Sequence, residues 1–145
     1  MRSLGLDIGD RRIGVALSDP LGMLASPLLV FERKEEAADV ASILQIVQQH
    51  QAELIIVGLP QSMDGTIGPQ AEKVKSFTAK LKEQSPVPVE FRDERLSTVT
   101  AKRMLEEAGS RKSAKRKKIE YDSIAAAVIL QSYLNEARPL EFPPE

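Results

Sequence analysis

Leu4, Leu6 and Ile8 alternate with Gly5 and Asp7, so residues 3–8 predict a strand with one apolar face and a carboxylate on the other. Gly9-Asp10 breaks that strand, and residues 13–18 predict a returning one, with Arg11 and Arg12 at the tip of the hairpin. After Asp19-Pro20 a third strand is expected over 25–31. The period then changes: Ala37, Val40, Ile43, Leu44 and Val47 recur at helical spacing across 35–50. Residues 54–57 form a continuous apolar run, the mark of a strand covered on both faces. Gly58-Leu59-Pro60 ends it, and a loop with an Asp64-Gly65 turn leads to a helix over 69–82, with Val74, Phe77 and Leu81 on one side. A strand over 87–91 runs into Arg92-Asp93-Glu94-Arg95. Ser97 or Thr98 then caps a helix that reaches Ala108 and stops at Gly109. A basic loop follows, and residues 119–134 predict the final helix.

An antiparallel start followed by alternating strands and helices implies an α/β protein, a mixed five-stranded sheet with helices on both faces. No internal repeat or linker divides residues 1–136, and residues 137–145, with Pro139, Pro143 and Pro144, are expected to be a C-terminal tail. At 145 residues and 42% hydrophobic, the chain can bury a substantial core. No apolar run is long enough to cross a membrane, and Met1-Arg2 leads straight into the first strand, so a cytoplasmic protein is expected.

Chemistry narrows quickly. With 0 Cys, disulfides, thiolate zinc sites and cysteine nucleophiles are excluded. The single histidine, His50, falls in the last turn of a predicted helix and suits a solvated helix end better than a catalytic base. Net charge is only −1, but six of the 20 Lys+Arg lie between Arg111 and Lys118, and without them the balance would fall to −7. Arg111, Lys112, Lys115, Arg116, Lys117 and Lys118 therefore form a local positive footprint suited to a phosphate backbone, although charge runs are often only solvated surface.

The acids are the other half of the chemistry. Asp7 stands mid-sheet, where a charge is costly unless something offsets it. Asp93 or Glu94 terminates the fifth strand, and Asp122 lies one turn into the final helix, where Ala125 and Ala126 allow close approach to the sheet. Carboxylates on separate elements, without Cys or an available His, suit an oxygen-only site for Mg²⁺ or Mn²⁺, and paired ions can clamp a phosphodiester. Singly, each acid fits a salt bridge about as well: Asp7 with Arg11 or Arg12, and Asp93-Glu94 with Arg92 and Arg95.

Four ordered blocks carry a resemblance: LDIGDRRIGVA (6–16), VGLPQSMDGTIGPQA (57–71), DERLST (93–98) and DSIAAAVILQSYL (122–134). Together they resemble the YqgF family, also called RuvX. The resemblance implies a ribonuclease-H-like fold related to the bacterial Holliday-junction resolvases. It implies a cytoplasmic, Mg²⁺- or Mn²⁺-dependent nuclease acting at the 5′ end of pre-16S ribosomal RNA. Carried over by position, Asp7, Glu94 and Asp122 are the catalytic and metal-binding acids, with Asp93 the fallback for the second. Arg11, Arg12 and Arg95 are candidates to touch the nucleic acid beside the basic stretch.

The chain departs from the resolvases at Gly58-Leu59 and at Ala125, positions where those enzymes bring acids. Three alternatives stand beside the ribosomal reading: a resolvase cutting branched DNA, a non-catalytic module binding RNA or the ribosome, and an actin-like ATPase. The last needs two domains, and no P-loop occurs. A resolvase needs a dimer, whereas a monomer or weak dimer is expected here. Two Tyr, four Phe and no Trp argue against a base-stacking platform.

Overall fold

In the computed structural model, which describes residues 1–60, 68–93 and 114–137, five strands form one sheet in the order β3-β2-β1-β4-β5. They are β1 (Ser3–Ile8), β2 (Arg12–Ser18), β3 (Ala25–Glu32), β4 (Leu54–Leu59) and β5 (Val89–Asp93); the helices are α1 (Glu36–His50), α2 (Pro69–Gln84) and α3 (Ala114–Ala137). The first three strands are antiparallel neighbours, while β4 and β5 join β1 in parallel. Parallel pairing requires crossovers, and α1 and α2 supply them.

Alternation along the strands divides the core in two. Leu4, Leu6, Ile8, Ile13, Val15, Ile55 and Val57 pack with Val40, Ile43, Val74, Phe77 and Leu81 of α1 and α2. Ala16, Leu54 and Ile56 point the other way and pack on Ala126, Ile129, Leu130 and Leu134 of α3. Helices thus cover both faces, as the sequence predicts. Gln131 also fastens α3 to the start of β3, accepting from the Ala25 N–H at 2.8 Å and donating to the Met23 carbonyl at 2.9 Å.

Small corrections have local causes. The fifth strand begins at Val89 rather than 87. Ser85 Oγ donates to the Val87 carbonyl (2.7 Å) and accepts its N–H (3.1 Å), and Pro88 has no N–H to offer a ladder. The final helix starts at Ala114, so Lys115, Arg116, Lys117 and Lys118 lie on helical backbone instead of in a loop. No Gly or Pro interrupts the run, and Ala, Lys and Arg are good helix formers. Asp122 is consequently about two turns into its helix. The loop over 61–67, Glu94, Arg95, the helix expected over 97–108, Arg111, Lys112 and most of the expected tail lie outside the described residues.

A partly buried ion pair ties the β1–β2 turn to the helical layer. Asp39, 2% exposed, accepts from Arg33 Nε at 3.2 Å and from the Lys34 N–H at 3.0 Å. Arg33 Nη1 donates to the Gly9 carbonyl at 3.0 Å, and its guanidinium lies 4.9 Å from the Phe77 ring centroid. Removing Asp39 takes the acceptor from both the Arg33 guanidinium and the Lys34 N–H. Asp39→Ala is expected to cost about 1.5–3 kcal/mol in urea unfolding, while a loss below about 0.5 kcal/mol would mean that water satisfies Arg33 equally well.

Candidate active site

Asp7 occupies the second-last position of the central strand, on the face that receives α3. Its cross-strand partner on β2 is Gly14. A Cβ built on Gly14 would stand 2.0 Å from the carbonyl oxygen of Asp122 and 2.4 Å from its carbonyl carbon. Only a residue without a side chain leaves room for the helix backbone here. The missing Cβ therefore seats α3 on the sheet at Asp122, directly over the partner of Asp7. Gly5 does the same farther along β1, where a Cβ would meet Leu130 Cβ at 2.8 Å and the Ala126 carbonyl at 2.9 Å. Ala125 and Ala126 are both buried, in keeping with that close approach.

Two acids distant in sequence thus converge over one strand pair. Directly paired antiparallel residues lie about 4.5–5.5 Å apart between Cα atoms, so Asp7 and the seat of Asp122 are neighbours. Asp7 is half-buried.

Arg12 completes the described part of the site. The sequence puts it at an exposed hairpin tip beside Arg11; Arg11 is indeed exposed, but Arg12 is the first residue of β2 and points to the α3 face. Its Nε donates to Asp122 Oδ2 at 2.6 Å, with side-chain exposures of 29% for Arg12 and 18% for Asp122. Arg12 lies two residues from Gly14, diagonal to Asp7 and on the same face. The salt-bridge partner open to Arg12 in the sequence was Asp7; the structure gives it Asp122. Asp10, at the turn, reaches Lys73 at 3.6 Å.

The parallel register carries the site towards β5. Leu6 pairs with Val57 and Val57 with Phe91, so the C-terminal ends of β1, β4 and β5 open on one edge of the sheet. Arg92 reaches across to α3. It donates to Ser132 Oγ from Nε (3.2 Å) and Nη2 (3.0 Å) and forms an ion pair with Glu136 on α3. The Arg92 guanidinium holds the exposed Glu136 carboxyl below its ordinary range. Among the described residues no three acids or histidines gather as a metal cluster. Glu94, the third acid of the expected set, falls one position beyond the end of β5 and outside those residues. His50 ends α1, as expected, and is not part of this constellation.

Sequence reasoning missed Gly14. The signal was present, because a lone glycine inside a predicted strand marks a bulge or the close approach of another backbone.

The architecture matches solved nucleases. The Thermus thermophilus RuvC structure in complex with a Holliday junction superposes with a TM-score of 0.61, 15% identity and 96% coverage of both chains. A fowlpox virus Holliday junction resolvase gives 0.55, with 16% identity, 94% of this chain and 99% of that one. At such identities the likeness speaks for fold. The chain is an α/β protein of the ribonuclease-H-like fold, with an acid on the central strand and another on the helix laid over it.

The family model described as "RuvX: Holliday junction resolvase" matches residues 1–136, and the chain belongs to that nuclease family. A Dehalococcoides mccartyi relative, named "Putative pre-16S rRNA nuclease", is 48% identical over 137 residues, 94% of this chain and 100% of its own length. A Desulforamulus reducens relative of the same name is 50% identical over 135 residues, 93% and 97% of the two chains.

Proposed function

We propose that this chain is a divalent-metal-dependent nuclease that processes the 5′ end of pre-16S ribosomal RNA in the cytoplasm by phosphodiester hydrolysis. The observation that carries the reading is the Gly14 seat, which brings Asp122 over the strand pair containing Asp7. A hard cation fits this donor set. Both described candidates are carboxylates, and the chain has no cysteine to favour a softer metal. Asp122 already receives one cation, the Arg12 guanidinium. Asp7 and Asp122, joined by Glu94, would hold Mg²⁺ or Mn²⁺. When bound, such an ion supplies polarisation of the phosphodiester and activation of water.

The cationic residues have the complementary task. Arg11, Arg12, Arg95 and the stretch from Arg111 to Lys118 fix the phosphate backbone, which positions the strand without reading its sequence. The final helix links binding to chemistry, since one element carries both Lys115–Lys118 and Asp122. RNA is the preferred substrate because relatives sharing about half their residues across nearly the whole chain carry the pre-16S rRNA name. A second reading, cleavage of branched DNA, is favoured by the likeness to resolvases; Ala125, in place of a second helix acid, weighs against it.

The deciding experiment incubates the protein with a 5′-extended 16S precursor RNA and with a synthetic four-way junction, each in Mn²⁺ and in EDTA. Metal-dependent cutting of the RNA alone is expected. Cutting of the junction alone would make the chain a resolvase, and silence on both, in the presence of ribosomal precursors as well, would make it a binding module.

A further inference from the structure

We propose that Arg12 is an exchangeable cation: it occupies Asp122 in the metal-free chain and passes to an RNA phosphate when a divalent ion takes that carboxylate. The proposal rests on the metal site argued above and adds a consequence: metal and RNA each tighten the binding of the other.

The geometry suits exchange. Among the described residues the Arg12 side chain makes one hydrogen bond, through Nε to Asp122 Oδ2. The two terminal nitrogens, which present the forked edge that phosphates match best, are not used in that bond. Exposures of 29% and 18% shield the pair without sealing it from water and ions. The Arg12 backbone, by contrast, is fixed. Its carbonyl accepts from the Gly9 N–H at 2.9 Å, and the residue is paired with Glu32 of β3. Only side-chain torsions need change for the guanidinium to swing from helix to solvent edge, where the exposed Arg11 already stands.

Charge makes the exchange favourable. Arg12 and Asp122 form a neutral pair. A divalent ion at Asp122 sets two cations in competition for one carboxylate. A phosphodiester, carrying −1, gives Arg12 a new acceptor. Reciprocity then requires RNA to raise metal affinity by the factor by which metal raises RNA affinity.

The test is calorimetric titration of Mn²⁺ into wild type, Arg12→Gln and Arg12→Lys without RNA, each checked for folding by its melting curve. Without the competing guanidinium, Arg12→Gln is expected to bind Mn²⁺ about 10-fold tighter or more, the factor a charge-assisted hydrogen bond is worth. Arg12→Lys, keeping charge but losing the Nε contact, should fall between. With Ca²⁺ present, single-stranded RNA binding to Arg12→Gln should lose about 0.7 from its log–log salt slope, one phosphate contact, with no loss in EDTA.

Unchanged or weaker Mn²⁺ binding by both Arg12 variants would overturn the exchange. If Asp7→Asn also binds Mn²⁺ like wild type, the metal site itself has failed. If Asp7→Asn loses the metal while the Arg12 variants match wild type, only the exchange has failed.

Discussion

Replacing Gly14 with alanine is expected to lower stability by about 3 kcal/mol or more, the upper range for overpacking. The new methyl would lie 2.0 Å from one backbone atom of α3 and 2.4 Å from another. Side chains can rotate away from an intruder, whereas a helix backbone must move as a unit. That movement would disturb the packing of Ala126, Ile129 and Leu130 on the sheet and displace Asp122 from the neighbourhood of Asp7. For a chain of this size the melting temperature should fall by roughly 10 °C. Gly68→Ser is the matched control, since a Cβ there meets nothing within 4 Å and serine is a good helix N-cap. A Gly14→Ala protein melting within about 2 °C of wild type would remove the seat from the account.

The second large effect is on catalysis. Asp7→Asn and Asp122→Asn should each reduce metal-dependent cleavage by about three orders of magnitude or more, because a metal ion contributes several kcal/mol to the transition state. Asp122→Asn also takes the anionic partner from Arg12 and should destabilise the metal-free protein. Urea unfolding in EDTA reads that loss. An Asp122→Asn protein as stable as wild type in EDTA would contradict the assigned pairing.

The sheet was legible because its signals are local. Leu4, Leu6 and Ile8 against Gly5 and Asp7 give β1 its bounds, and the apolar run from Leu54 marks β4 as covered on both faces. Helical spacing of Val40, Ile43 and Val47 likewise gives α1. What escaped depends on partners distant in sequence. The Arg12–Asp122 bond spans 110 residues, and no pattern near Arg12 distinguishes a hairpin-tip arginine from one facing a helix. Gly14 carried a signal, yet its meaning needed the position of α3. Lys115–Lys118, expected in a loop, are on helix because Ala, Lys and Arg continue a helix without a breaker, whereas a dense positive run carries no period of its own. Asp39 was passed over because a charged residue in an amphipathic helix normally faces water; here Arg33 is supplied from the segment entering α1.

The most direct test of the central claim, that Asp7 and Asp122 belong to one metal site, is the Mn²⁺-induced shift in melting temperature of wild type, Asp7→Asn and Asp122→Asn. At free metal about 100-fold above its dissociation constant, a native-state ligand stabilises by about 2.7 kcal/mol. Wild type should therefore melt several degrees higher with Mn²⁺ than with EDTA, and both variants should lose that gain. A shift that survives intact in both variants, or one that wild type never shows, would contradict the shared metal site.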